Sequence, residues 1–207
     1  SASASASASA SVSVSVSVSV SVSLHLCLSE SVSVSGSAAE NGYVILRNAV
    51  PQQNLQAVID DVWSFLEMDP DDPASWYKQQ QVKEGQRPPH GAGGMVEIYQ
   101  SQSLWDNRQH PRVHGAFAQI WGTEKLWCSM DRANMKPPVR EDQPAWQHPG
   151  MIHWDADTTS GKAAFRVQGV LYLADTDENG GGFRECFAQL HRTRARAPRT
   201  CTMCGMW

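Results

Sequence analysis

The segment "AFRVQGVLYLAD", residues 164–175, has the clearest strand pattern in the chain. Apolar or small residues alternate with the others at a period of two, which is typical of a β-strand: Phe165, Val167, Gly169, Leu171 and Leu173 occupy one set of positions. The following "TDENGGG" consists of residues that tolerate turn conformations. This segment therefore predicts a strand that ends in a tight turn.

Further elements are predicted upstream of this strand. "MVEIYQ" (residues 95–100) and "KLWCSMDRANM" (residues 125–135) are strand candidates, the second ended by Pro137 and Pro138. Residues 51–68 have apolar positions at helical spacing, and a second helix is predicted over residues 111–121 with Gly122 just after it. Helices first and strands later favour a mostly β fold with flanking α-helices, a β-sandwich or jelly roll.

The N-terminal residues 1–39 form a Ser-Ala and Ser-Val low-complexity segment. Its alternation fits a β-strand, but 17 of its 39 residues are serine and it contains no Phe, Trp or Tyr, so disorder is the favoured interpretation. The sequence thus predicts three regions: residues 1–39, a folded domain at residues 40–191, and a basic, disordered tail at residues 192–207. The folded part is long enough for one hydrophobic core.

Charge and composition exclude several classes of protein. The formal net charge of −4 argues against nucleic-acid binding, and no aromatic residue is interleaved with the arginines of the tail. No signal peptide or transmembrane segment is recognisable, which makes a cytoplasmic protein without membrane partners the default expectation. The five cysteines are odd in number and irregularly spaced, so a disulfide framework is not expected; Cys201 and Cys204 alone make half of a zinc site.

"MIHWDAD", residues 151–157, places His153 and Asp155 two positions apart. On a strand, residues i and i+2 lie on the same face, so an imidazole and a carboxylate would point to one place. Two histidines and one carboxylate form the facial triad of non-haem Fe(II) oxygenases, and this pair supplies two of the three ligands. The alternative is an ordinary half-buried histidine beside a turn acid.

The order of several motifs resembles the phytanoyl-CoA dioxygenase family of Fe(II)/2-oxoglutarate oxygenases. The motifs are "GYVILRNAVP", "MKPP", "IHWD" and "GVLYLADTDENGGGF", together with residues 95–127, and they span roughly residues 41–183. The resemblance implies a double-stranded β-helix core and hydroxylation of a small-molecule substrate with 2-oxoglutarate as co-substrate. It also implies that His153 and Asp155 are the metal ligands and catalytic centre. Arg132 and Asn134 share a strand face and are candidate 2-oxoglutarate contacts, or else a surface arginine and a strand-edge asparagine.

The chain departs from the family pattern after Phe183. The family has a second iron-binding histidine and a 2-oxoglutarate-binding arginine far downstream, whereas the only histidine after Asp155 is His191. We therefore expect a truncated oxygenase whose jelly roll is partial and whose uncovered strands favour self-association. The alternative function is a catalytically inactive β-rich remnant or binding module.

Overall fold

The computed structural model describes residues 15–20, 43–78, 91, 93–147, 153–154, 167–175 and 204–205; for 15–20, 153–154 and 204–205 it describes the backbone alone. The helices are α1 (Gln52–Leu66), α2 (Gln102–Arg108) and α3 (Pro111–Trp121), with short 3₁₀ turns at Ser75–Tyr77 and Pro144–Trp146. The strands are β1 (Ser15–Val20), β2 (Met95–Val96), β3 (Ala133–Asn134), β4 (His153–Trp154), β5 (Val167–Tyr172) and β6 (Cys204–Gly205).

The two predicted helices are confirmed. α1 lies inside the predicted residues 51–68, and its C-terminus is set by Glu67, which adopts a left-handed conformation with φ of 53°. α3 has the predicted bounds and ends at Gly122, whose φ is 65°. The third helix, α2, was not predicted; Ser101 caps it by accepting a hydrogen bond on its side-chain oxygen from the backbone N–H of Leu104.

The prediction of a mostly β fold with a partial jelly roll is wrong. Among the residues that the structure describes, about 39% are helical and about 11% lie in strands. These strands form three antiparallel pairs, β1 with β5, β2 with β3 and β4 with β6. Two predicted strands are much shorter than expected because their backbone groups bond elsewhere: the N–H of Ile98 donates to the carbonyl of Val96 at 2.8 Å, which ends β2 after two residues.

The expected disorder of residues 1–39 is also contradicted at one place. Ser15–Val20 forms β1 and pairs with β5, the strand predicted most clearly from the sequence. Composition favoured disorder because serine-rich chains cannot build a core of their own. Pairing with β5 makes such a core unnecessary, because the backbone groups of β1 form their hydrogen bonds with a strand from a distant part of the chain.

The main core packs the inner face of α1 against α2 and the β2–β3 ribbon. Its fully buried side chains include Val58, Val62, Leu66, Val96, Leu104 and Met135. Each such side chain contributes about 1.5–3 kcal/mol relative to an exposed position. A second, smaller core joins Phe117 and Trp121 of α3 to Val167 of β5. The apolar spacing predicted for residues 51–68 therefore corresponds to the buried face of α1, although this helix packs on a short ribbon rather than on a jelly roll.

None of the helices within the described ranges is both long and apolar enough to cross a bilayer.

Candidate functional site

Of the two predicted iron ligands, the structure describes only the backbone of His153. His153 belongs to β4 and its Cα pairs with that of Gly205 in β6. The extended backbone at His153 is the conformation that the i, i+2 argument requires. The side chain of His153 and the whole of Asp155 lie outside the described residues, so their role as metal ligands stays a prediction.

Arg132 lies at the centre of a polar cluster formed with Glu97, Tyr99 and Asp131, the Arg132 cluster. Its Nη1 donates to Glu97 Oε1 at 2.8 Å and to the hydroxyl oxygen of Tyr99 at 3.1 Å. The hydroxyl of Tyr99 donates in turn to Glu97 Oε2, and the guanidinium carbon of Arg132 lies 5.9 Å from the centre of the Tyr99 ring. The segment after β2 and the segment before β3 leave the antiparallel ribbon at the same end, which brings these side chains together although Glu97 and Arg132 are 35 residues apart.

Arg132 and Glu97 form an ion pair in the Arg132 cluster. The hydrogen bond to Glu97 and burial both raise the pKa of Tyr99, so its hydroxyl stays protonated and remains a donor. Burial is the largest single effect on the pKa of Arg132 and lowers it, but Glu97, Tyr99 and Asp131 together raise it, and the net direction is upward. An incoming anion would therefore compete with Glu97 for the guanidinium of Arg132.

Asn134 is buried, with 5% of its surface exposed, and stands opposite Met95 in the β2–β3 ribbon. Its Nδ2 donates to the carbonyl of Gly93 at 3.2 Å. The amide therefore fixes the chain reversal at Gly93 and Gly94 that leads into β2. The prediction that Asn134 contacts 2-oxoglutarate remains untested, and the contact seen here is one that stabilises the ribbon.

Gly94 provides a direct test of this turn. Its φ is 78°, and an added Cβ would lie 2.6 Å from Lys136 Cγ and 2.7 Å from Asn134 Oδ1. We expect Gly94→Ala to lower the free energy of unfolding by about 2–3 kcal/mol, from left-handed backbone strain plus overpacking. The matched control is Gly122→Ala, where φ is 65° but no atom lies within 4 Å, so that only the strain of about 1 kcal/mol remains. Urea unfolding measures both variants. Equal losses of unfolding free energy in Gly94→Ala and Gly122→Ala would contradict the close contact of residue 94 with Asn134.

Arg108 is a buried cation that sequence reasoning missed. It is 3% exposed, and its two terminal nitrogens donate to backbone carbonyls, Nη1 to Tyr99 at 2.8 Å and Nη2 to Asp131. Its guanidinium carbon lies 5.1 Å from the centre of the Trp105 ring. Burial lowers the pKa of Arg108, with Cys128 and Asp131 acting in the opposite direction. The Ser101 cap was the available signal for α2, but nothing in the sequence pattern marks its last arginine as buried.

The described histidines of α3 have structural contacts. Nδ1 of His110 accepts a hydrogen bond from the backbone N–H of Arg112 at the start of the helix. Nε2 of His114 lies 3.0 Å from the carbonyl oxygen of Glu124, beyond the helix end. Over the part of the chain that the structure describes, no group of three or more His, Cys, Asp or Glu residues is placed to hold a metal ion.

Comparisons of the chain with protein-family models, curated proteins and solved structures gave no match. The resemblance to the phytanoyl-CoA dioxygenase family therefore rests on the sequence motifs alone.

Proposed function

We propose that the chain is a non-haem Fe(II)/2-oxoglutarate-dependent dioxygenase of the phytanoyl-CoA dioxygenase type, a small-molecule hydroxylase whose turnover is impaired by an incomplete set of iron ligands. The observation that supports the proposal best is the His153-x-Asp155 motif, with His153 in the extended backbone of β4. The proposed ligand pair does not require the jelly roll that the sequence predicted, because an i, i+2 pair needs only an extended segment.

The chemistry of the two side chains fits Fe(II). A neutral imidazole nitrogen and a carboxylate oxygen are two of the three protein ligands of the facial triad, which leaves coordination positions for a chelating co-substrate and dioxygen. Fe(II), when bound, supplies the redox chemistry that couples oxidation of 2-oxoglutarate to hydroxylation of a C–H bond. The chain's own task is to hold the substrate close to the metal and to exclude bulk water.

Arg132 and Asn134 are proposed as contacts for 2-oxoglutarate, with different expected strengths. A guanidinium pairs with a carboxylate through two parallel hydrogen bonds, which makes Arg132 the better candidate of the two. Glu97 already occupies Nη1 of Arg132. Binding of 2-oxoglutarate at Arg132 would thus involve exchange of one carboxylate for another, and its net affinity gain would be small.

The proposed location is the cytoplasm and the proposed partner is the small-molecule substrate. Irregular cysteine spacing is uncommon in disulfide-stabilised secreted domains. The net charge of −4 gives no electrostatic attraction to nucleic acid.

Anaerobic calorimetry with Fe(II) tests the proposed ligands. We expect His153→Ala and Asp155→Ala each to abolish measurable Fe(II) binding, because a site with only two firm protein ligands tolerates the loss of neither. The matched control is His114→Ala, which removes an exposed histidine bonded to the Glu124 carbonyl and should leave Fe(II) affinity unchanged.

The same titrations can reject the proposal. Unchanged Fe(II) affinity in both the His153 and the Asp155 variants would exclude the motif as a metal site. An equal loss in the His114 control would show that the effect comes from disturbed folding, and Asp155→Asn, which keeps the side-chain volume, would then decide whether the carboxylate itself binds the metal.

A further inference from the structure

The pairing of β1 with β5 joins a repetitive segment to a unique one. Six antiparallel Cα pairs connect them, from Ser15 opposite Tyr172 to Val20 opposite Val167. β5 has a sequence that occurs once, VQGVLY, whereas β1 is SVSVSV. The specificity of the pairing must therefore come from β5 and from the alternation of β1, because no single residue of β1 is distinctive.

The sequence of β1 occurs at four positions in the chain. The hexapeptide SVSVSV begins at Ser11, Ser13, Ser15 and Ser17, so successive copies are shifted by two residues. A two-residue shift keeps the alternation of hydrogen-bonded and non-hydrogen-bonded pairs in an antiparallel ladder. A one-residue shift exchanges serine and valine at every position. Registers that differ by two residues are therefore equivalent for these six pairs, and registers that differ by one are not.

We propose that the β5 edge bound by β1 is a strand-acceptor site for Ser-Val repeats, and that the repeat of a second copy of this chain binds there in any of four equivalent registers. A Ser-Val repeat offers the same backbone N–H and C=O groups to β5 whether it belongs to the same chain or to a second molecule. Proline, which would remove a ladder donor, is absent from residues 11–22.

The length of chain between the strand and the first helix allows a second copy to take part. Residues 21–51 separate β1 from α1, and 31 residues can span up to about 100 Å when extended. Such a connection lets the repeat leave its own β5 and reach that of a neighbour, which is the arrangement of a domain-swapped dimer. Intramolecular pairing has the advantage of a high effective concentration, so exchange between copies should increase with protein concentration.

Cysteine cross-linking tests the registers in the full-length chain. Val170→Cys is combined with one cysteine in the repeat; native cysteines other than the half-buried Cys128 become serine, and mild oxidation with diamide forms the disulfides. In the observed register Ser17 stands opposite Val170. Mass spectrometry of the cross-linked peptides identifies each pair and separates it from any bond to Cys128.

Four equivalent registers predict a parity rule. Cysteine at Ser13, Ser15, Ser17 or Ser19 should cross-link to residue 170 at rates within about tenfold of one another. Val16→Cys and Val18→Cys should react at least about tenfold more slowly than the slowest of these four. Cross-linking of Ser17→Cys alone would show a single fixed register and overturn the proposal. Equal rates at serine and valine positions, or no cross-link at any position, would also overturn it, because both exclude register-specific pairing.

The second copy is tested by mixing two chains. One carries Ser17→Cys, and the other, labelled with ¹⁵N, carries Val170→Cys, so that mass spectrometry recognises a mixed disulfide at twice the 22.7 kDa chain mass. The mixed species should increase with protein concentration and keep the parity rule when Ser15→Cys or Val18→Cys replaces Ser17→Cys. Its absence at all concentrations would restrict the site to the chain's own repeat and reject the proposed partner.

Discussion

Arg108→Met is expected to lower the free energy of unfolding by about 2–4 kcal/mol, because it removes the donors of two carbonyl groups. Arg108 is almost fully buried and links Tyr99, which follows β2, to Asp131, which precedes β3. Methionine has a similar length but no donor, so the two carbonyls lose these hydrogen bonds. Urea unfolding followed by tryptophan fluorescence measures the change. An unchanged slope of the unfolding free energy against urea concentration would show that the loss is one of stability.

The same substitution at Arg140 is the matched control. Arg140 pairs with Asp142 at 2.7 Å, but both side chains are largely exposed, so Arg140→Met should change stability by no more than about 0.5 kcal/mol. Arg108→Lys should fall between the two, because an ammonium does not reproduce the geometry of two separate guanidinium nitrogens. Equal effects of methionine at positions 108 and 140 would contradict a bridging role for Arg108.

Local pattern was sufficient for the helices with clear apolar spacing. Val58, Val62 and Leu66 recur at four-residue intervals in α1, and these positions are buried in the structure. α3 has the predicted bounds because Pro111 and Gly122 mark its ends chemically. α2 has only seven residues, too few for a reliable period, and its one local signal is the Ser101 cap.

The strands and the polar contacts depend on distant parts of the chain. Residues 125–135 alternate as a strand should, yet only Ala133–Asn134 forms a strand, extended by one backbone hydrogen bond from the N–H of Met135 to the carbonyl of Gly94. The carbonyl of Asp131 accepts from Arg108 instead of a neighbouring strand. The ion pair between Glu97 and Arg132 joins two segments that no spacing rule connects. The sequence therefore marked Arg132 as a candidate contact for an anion but could not show that Glu97 pairs with it.

The pairing of β1 with β5 shows the same limit for the whole fold. Composition assigned residues 1–39 to disorder, and periodicity assigned β5 to a jelly roll. Neither rule contains the information that one segment pairs with the other across about 150 residues. The mostly β prediction was wrong because alternation shows that a segment can form a strand, and not how many partners it finds.

Succinate formation from 2-oxoglutarate by the 207-residue chain is expected to stay near background, even if Fe(II) binds. His153 and Asp155 are two ligands, and the sequence after Asp155 contains only one further histidine, His191. A missing ligand lowers both metal affinity and the orientation of the remaining ligands. Arg132, the candidate anchor for 2-oxoglutarate, already pairs with Glu97. The missing ligand and the occupation of Arg132 by Glu97 both reduce turnover. Fe(II) binding measured without oxygen depends only on the number of ligands.

The assay measures succinate under air with Fe(II), ascorbate and 2-oxoglutarate, comparing the unmodified chain with His153→Ala, His191→Ala and the control His114→Ala. Clear activity that is lost in both the His153 and the His191 variants would contradict the expectation and identify His191 as the third ligand. Activity lost only in His153→Ala would indicate a site with two protein ligands, completed by water or an anion. Because His114→Ala leaves the proposed ligands intact, activity retained in that control separates a lost ligand from a general loss of fold. Iron binding without succinate in every form would support the metal site and reject catalysis by this chain.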